Sequence, residues 1–172
     1  MTVHTPLPLT GEHLRAVRLV AFDFDGVFTD NRVLVGQDGS EYVFCSRGDG
    51  FGLEALRRLG IGSLVISKEL NPVVKVRADK LKIECVQGCD DKWPALSRIL
   101  DDRALLPSAV AYVGNDINDI DCFQHVGVSI CVADGHPDAL GSAAYVTRRR
   151  GGRGAVREVC DLLVKTRAEV AT

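Results

Sequence analysis

Residues 17–30 read VRLVAFDFDGVFTD. Residues 17–24 are a nearly continuous apolar run that ends in polar residues, the composition of a strand buried on both faces of a parallel sheet. The pattern recurs at SLVIS (63–67), IECVQ (83–87), AVAYVG (109–114) and VSICV (128–132). Stretches compatible with helix follow near 50–60, 71–81, 92–102 and 119–127. Repeated strand and helix alternation predicts an α/β fold, a doubly wound, Rossmann-like parallel sheet with helices on both faces.

One segment breaks the alternation. RVLVGQDGSEYVFCS (32–46) carries two strand-like runs around the turn residues Gly36, Asp38 and Gly39, and predicts a β-hairpin. Leaving the sheet straight after the first strand, it is expected to project over the carboxyl ends of the strands, where open α/β sheets bind ligands. The other connections are short, so residues 1–172 read as a single domain without a cap. The tail, 149–170, holds a Gly-rich turn and then a helix from about 153, with Val156, Val159, Leu162 and Leu163 as its apolar face.

Composition narrows the partners. The 21 Lys and Arg nearly balance 23 Asp and Glu, for a formal charge of −2, with no long basic run to follow a phosphate backbone, so nucleic acid is not an expected partner. The N-terminal stretch MTVHTPLPLTGEHLRAVR has neither a basic start nor an apolar run, and no segment is apolar for long enough to span a membrane. The expected location is cytoplasmic, with the six cysteines free. Cys85 and Cys89 lack the second pair or spaced histidines that a zinc site needs.

Two acidic clusters carry the chemistry. Asp23 and Asp25 flank Phe24 at the end of the first strand, where two carboxylates on one face repel unless the chain turns or a cation sits between them. Gly26 follows, with no side chain to keep a ligand from the backbone. The second cluster, Gly114-Asn115-Asp116-Ile117-Asn118-Asp119, ends another strand. Hard oxygen donors in such a place suit Mg2+, although Asn115, Asp116 and Asn118 are equally sound helix N-caps. Between the clusters stand Ser67, at a strand end, and Lys92, in GCDDK (88–92). A hydroxyl and an ammonium at the same sheet edge would complete a pocket for a phosphoryl group.

These four stations, in this order, resemble the haloacid dehalogenase superfamily of phosphohydrolases. The absence of a cap, the hairpin, DGVFTD (25–30) and RGGRGAVRE (150–158) resemble, more narrowly, its small tetrameric sugar-acid phosphatases. These act on 3-deoxy-octulosonate 8-phosphate or on nine-carbon ulosonate 9-phosphates. The resemblance implies Asp23 as nucleophile, Asp25 as general acid and base, and Ser67 and Lys92 as holders of the phosphoryl oxygens, with backbone N–H groups near Gly26 and Lys68 assisting. It implies Mg2+ on the Asp23 carboxylate, the Asp25 carbonyl and the fourth motif, where Asn115 replaces an acid found in many relatives; either Asn115 or Asp116 is then the ligand. Asp119 would orient Lys92 or metal-bound waters. Lys68, Glu69, Arg77 and Lys80 resemble the nine-carbon branch more than the octulosonate branch, and Arg47 and Asp49 match a family substrate loop. A homotetramer is also implied, with residues 32–46 and 149–158 reaching adjoining subunits.

Two rival readings remain. A phospho-signalling receiver domain also groups Asp, a hydroxyl and Lys around Mg2+, but has no equivalent of the hairpin or of Asp25. A catalytically weak oligomerisation module is favoured only by Asn115.

Overall fold

The computed structural model describes residues 9–169. In chain order the elements are α1 (Gly11–Ala16), β1 (Leu19–Phe22), β2 (Thr29–Val35), β3 (Glu41–Cys45), α2 (Gly48–Arg58), β4 (Gly62–Ile66), α3 (Val73–Leu81) and β5 (Glu84–Val86). Then follow α4 (Lys92–Asp102), β6 (Val110–Gly114), α5 (Ile120–His125), β7 (Val128–Cys131), α6 (Pro137–Ser142), β8 (Tyr145–Val146) and α7 (Ala155–Ala168). Six strands form one parallel sheet in the order β5-β4-β1-β6-β7-β8, and β2 and β3 pair antiparallel as a separate hairpin.

All four residues of β1 are buried. Val20 and Phe22 join Leu53 and Leu56 of α2 and Val156, Val159 and Leu163 of α7 on one face of the sheet. Leu19 and Ala21 join Leu96 and Leu100 of α4, Phe123 of α5 and Ala139 of α6 on the other. Strand alternation thus feeds two cores from one continuous apolar run, and each fully buried Val, Leu or Phe contributes about 1.5–3 kcal/mol.

The strand order decides where a site can form. From β1 the chain steps outward through β4 to β5, then crosses back to β6 on the other side of β1. The connections diverge between β1 and β6, opening a crevice at their carboxyl ends. Phe22 lies opposite Val113 across that boundary, so the residues just beyond, Asp23 and Gly114–Asn115, become neighbours although some ninety positions apart in sequence.

The hairpin starts at Thr29, three residues before the expected 32. Three elements have no counterpart in the sequence reading, namely α1, α6 and β8, which span six, six and two residues. The C-terminal helix begins at Ala155 and ends at Ala168, and residue 170 lies outside the described residues. Its buried stripe holds Val156, Val159 and Leu163 as expected, and Cys160 and Thr166 besides, with Leu162 at the margin. All six cysteines are free, and among the described residues no helix is long and apolar enough to cross a membrane.

Candidate active site

The β1 strand ends in a tight loop. Phe24 N–H donates 2.7 Å to Asp23 Oδ1, and Gly26, at φ +79°, donates its N–H 3.0 Å to the buried Thr29 hydroxyl. Phe28 N–H returns to the Phe24 carbonyl at 2.9 Å, while Phe24 and Phe28 stack at 5.9 Å between ring centres. This turn resolves the clash expected of two carboxylates on one strand face: Asp23 points into the crevice while Asp25 follows beyond the bend. It also occupies the Gly26 N–H, which is therefore not free to assist a phosphoryl group. Thr29, on which this loop closes, carried no signal in the sequence.

Lys92 opens α4 and its ammonium is almost wholly buried. It lies 2.9 Å from Asp23 Oδ1 and donates 2.7 Å to Asp119 Oδ1. Asp119 is fully buried and accepts from four donors: Lys92 Nζ and Tyr112 OH (2.8 Å) on Oδ1, Asn115 N–H (2.8 Å) and Asp116 N–H (3.1 Å) on Oδ2. It orients Lys92 and, through two backbone N–H groups, the loop after β6. Tyr112 was missed in the sequence because it reads there as one more apolar strand residue; beside Asp119 and out of water, its hydroxyl is pushed well above its ordinary pKa.

Ser67 stands at the end of β4, buried, with its oxygen accepting from Glu69 N–H at 3.1 Å. Its carbonyl accepts from Cys89 N–H (3.0 Å) and that of Glu69 from Gly88 N–H (3.1 Å). These two bonds tie the loop after β4 to the loop that delivers Lys92. Asp23, Asp25, Ser67, Lys68, Glu69, Leu70 and Asn118 line one open cavity of about 300 Å³. A second cavity of similar volume lies between the hairpin and the start of α3 and shares Asp25 and Glu69 with the first.

Burial pushes the Asp23 carboxyl up to about 7, with the nearby Asp119 charge adding to the rise and Lys92 opposing it. Asp25 is also raised, first by burial and then by Glu69, against the pull of Lys92. A carboxyl that keeps its proton above the usual range is suited to protonate a leaving group.

Asn115 decides the fourth station. The amide atom drawn as Oδ1 lies 3.2 Å from Asp23 Oδ2 and 2.9 Å from the Asp25 carbonyl oxygen. As an oxygen, it forms with them a group of three acceptors and no donor, an arrangement that calls for a cation. Such separations match the edges, about 3 Å, of an Mg2+ octahedron with 2.0–2.1 Å bonds. Turned over, the same amide would donate to both and close the cradle. These residues therefore fit Mg2+, and of the pair Asn115 and Asp116 it is Asn115 that faces Asp23 and the Asp25 carbonyl. The Asp116 carboxylate is instead bonded to Ile117 N–H at 2.7 Å, capping the single 3-10 turn Ile117–Asp119.

The four candidate substrate contacts separate. Glu69 lines the cavity of Asp23, while its carboxylate accepts from Leu70 and Asn71 N–H at 2.7 and 2.8 Å. Arg47, Arg77 and Lys80 instead surround a different cavity of about 570 Å³ with Phe51 and Leu81, and Arg77 donates 2.7 Å to the Ser46 carbonyl. Within this chain Gly152 N–H of the Gly-rich segment donates 3.0 Å to the Val27 carbonyl and Gly151 N–H 2.9 Å to Asp134.

Comparison with known proteins gives concordant matches. The family model for haloacid dehalogenase-like hydrolases matches residues 66–158. The 3-deoxy-D-manno-octulosonate 8-phosphate phosphatase KdsC of Escherichia coli K12 is 40% identical over 149 residues, covering 86% of this chain and 79% of that protein. The crystal structure of the phosphatase of the same name from Yersinia pestis superposes with a TM-score of 0.89 at 36% identity, covering 94% of this chain and 88% of that one. Its namesake from Moraxella catarrhalis, solved with magnesium, phosphate and KDO, gives 0.88 at 32% identity over 94% and 95% of the two chains.

Proposed function

The chain belongs to the haloacid dehalogenase-like hydrolases, and from that premise we propose that it is an Mg2+-dependent phosphatase of sugar-acid phosphate monoesters working through an aspartyl phosphate. The observation that carries this reading is the meeting of Asp23, Asp25, Ser67 and Lys92 at one sheet edge. The Asp23 carboxylate attacks phosphorus as the sugar oxygen leaves, splitting one displacement into two. Lys92 and the Ser67 hydroxyl hold the transferring phosphoryl oxygens and offset their charge. Asp25, protonated, gives its proton to the departing sugar oxygen. Then, as a carboxylate, it takes one from the water that attacks the phosphoenzyme, releasing inorganic phosphate and restoring Asp23. The Asp23 carboxylate, the Asp25 carbonyl and the Asn115 amide oxygen would hold Mg2+. When bound, the ion screens the repulsion between carboxylate and phosphate.

The names of the relatives support the eight-carbon ulosonate 8-phosphate as substrate. The nine-carbon alternative rests on Lys68 and Glu69, the two members of its charged set that line the cavity of Asp23. Arg47, Arg77 and Lys80 would serve a substrate across a subunit boundary. Such a boundary is supported by the hairpin, which exposes Val33, Leu34, Val35, Tyr42 and Phe44, each more than half accessible. Apolar strands left bare on this scale favour burial against further copies, and a homotetramer is the assembly we propose. A receiver domain has no use for Asp25 beside the nucleophile, and a catalytically weak module none for a buried Lys92 held between two acids.

The test is phosphate release from a panel of eight- and nine-carbon sugar-acid phosphates, compared by kcat/KM with and without chelator, with light scattering for the assembly. Turnover that needs Mg2+ and vanishes in Asp23→Asn is expected. Turnover that persists in that variant refutes the nucleophile, and phosphorylation without turnover favours the receiver reading.

A further inference from the structure

The Gly26 peptide lies between two close neighbours. On one side is Asn115: a Cβ on Gly26 would come 2.1 Å from the Asn115 amide nitrogen. On the other is Gly151: a Cβ there would come 1.7 Å from the Gly26 carbonyl oxygen and 3.1 Å from that of Thr29. The next residue, Gly152, at φ +65°, has its Cα against the Asp30 N–H, where a Cβ would stand at 2.4 Å. On the Gly151–Gly152 side backbone thus meets backbone, with no flexible side chain to yield, while on the Asn115 side the neighbour is the amide side chain itself.

Residues 145–154 are themselves held firmly. The Glu158 carboxylate accepts from Arg148 N–H (2.8 Å), Arg149 N–H (2.9 Å) and Tyr145 OH (3.0 Å). The Thr147 hydroxyl donates 2.6 Å to the Arg149 carbonyl and accepts from Ala133 N–H. Asp134 accepts the Gly151 N–H, so the segment approaches Gly26 as a fixed support rather than a loose strand.

We infer that Gly151 is a positioning residue for the metal cradle: through its contact with the Gly26 carbonyl it sets the place of Gly26, and through that residue's Cα the place of the preceding Asp25 carbonyl relative to Asp23 and Asn115, from 125 residues away in sequence. The inference rests on the proposed Mg2+ site. A Cβ at 151 needs about 3.3 Å from a carbonyl oxygen, so the Gly26 carbonyl must withdraw by more than an ångström. Asn115, the third wall of the cradle, also packs against Gly26, so a displacement of the Gly26 carbonyl is passed on to the contact between Gly26 and Asn115.

The experiment measures Mg2+ binding to the resting protein by calorimetry, the gain in Tm on adding Mg2+ to chelator-treated protein, and kcat, for wild type, Gly151→Ala, Asp134→Ala, Asp134→Asn and Gly141→Ala. Gly141, in α6, has no atom within 4 Å of a Cβ and serves as control. Gly151→Ala is expected to bind Mg2+ about 10–100-fold more weakly and to lose most of the Mg2+-induced gain in Tm. Asp134→Ala, which removes the support without adding an atom, is expected to lose about threefold or more, with Asp134→Asn restoring it because its amide oxygen still accepts from Gly151. A Gly151→Ala protein with lower Tm in chelator but unchanged Mg2+ affinity refutes the inference, since its role is then only structural. If Gly151→Ala does not fold, unchanged Mg2+ affinity in Asp134→Ala refutes it instead. Failure of wild type to bind Mg2+ refutes the proposed function itself.

Discussion

Replacing Lys92 by Met removes a charge from a nearly isosteric side chain and leaves Asp23 and Asp119 without the cation between them. Removing one partner of a buried ion pair costs about 3–5 kcal/mol. The lower end applies here, because Asp119 keeps Tyr112 OH and the Asn115 and Asp116 N–H groups, and Asp23 keeps Phe24 N–H. The loss depends on pH with a definite sign. Asp23 already titrates near 7 in the folded chain, against 3.8 for an ordinary Asp, and Lys92 is what opposes a larger rise. A carboxyl raised in the folded state binds more protons there than in the unfolded chain, so it costs stability as pH climbs through its folded value. The variant is therefore expected to fall below wild type by about 3 kcal/mol at pH 8.5 and by less near pH 5.5, where Asp23 is protonated in both and the lost Lys92–Asp119 pair alone remains. Urea unfolding in chelator, at one protein concentration, measures both gaps. Phosphate release should drop about 10²–10³-fold through loss of a phosphoryl-oxygen donor. Equal deficits at the two pH values would refute the reasoning, because lost packing, unlike uncompensated charge, does not titrate.

Asp49 offers a second titration away from the crevice. It is almost wholly buried at the start of α2, neither carboxylate oxygen has a hydrogen-bond partner, and burial pushes it up to about 6. Its ionised form costs about 3 kcal/mol on the relation of pKa to free energy, a cost absent below pH 4 and complete above pH 6. Asp49→Asn is expected to unfold at higher urea than wild type at pH 7.5 and to show a flatter dependence between pH 4 and 7; identical pH profiles would contradict this. Tyr112→Phe removes one of the four donors to Asp119 and is expected to lower stability by about 1.5–3 kcal/mol. Lys92 stays bonded to Asp119 in this variant, so activity should fall less than tenfold, as urea unfolding and phosphate release together would show.

The largely apolar runs at 17–24, 63–67, 83–87, 109–114 and 128–132 make the architecture legible in advance, because strands buried on both faces must be mostly apolar and each is followed by a helix-compatible stretch. The four stations that carry Asp23, Ser67, Lys92 and Asn115 are equally legible, since chemistry-bearing residues collect at strand ends and those ends are visible. What the one-dimensional pattern lacked was orientation. Asn115 and Asp116 are adjacent and chemically alike, and only the fold turns one toward Asp23 and the other onto Ile117 N–H. Arg47, Arg77 and Lys80 are readable as cations, but not as cations of another cavity. Tyr112 and Thr29 look like strand residues until their hydroxyls are seen on Asp119 and on Gly26. Gly151 reads as part of an exposed basic turn, and is seen against the Gly26 carbonyl only when the chain returns to it. The difference is physical. Burial and local hydrogen bonding follow from the order of residues along the chain, whereas the contacts that place the reacting oxygens join segments up to 125 positions apart and exist only once the sheet has closed.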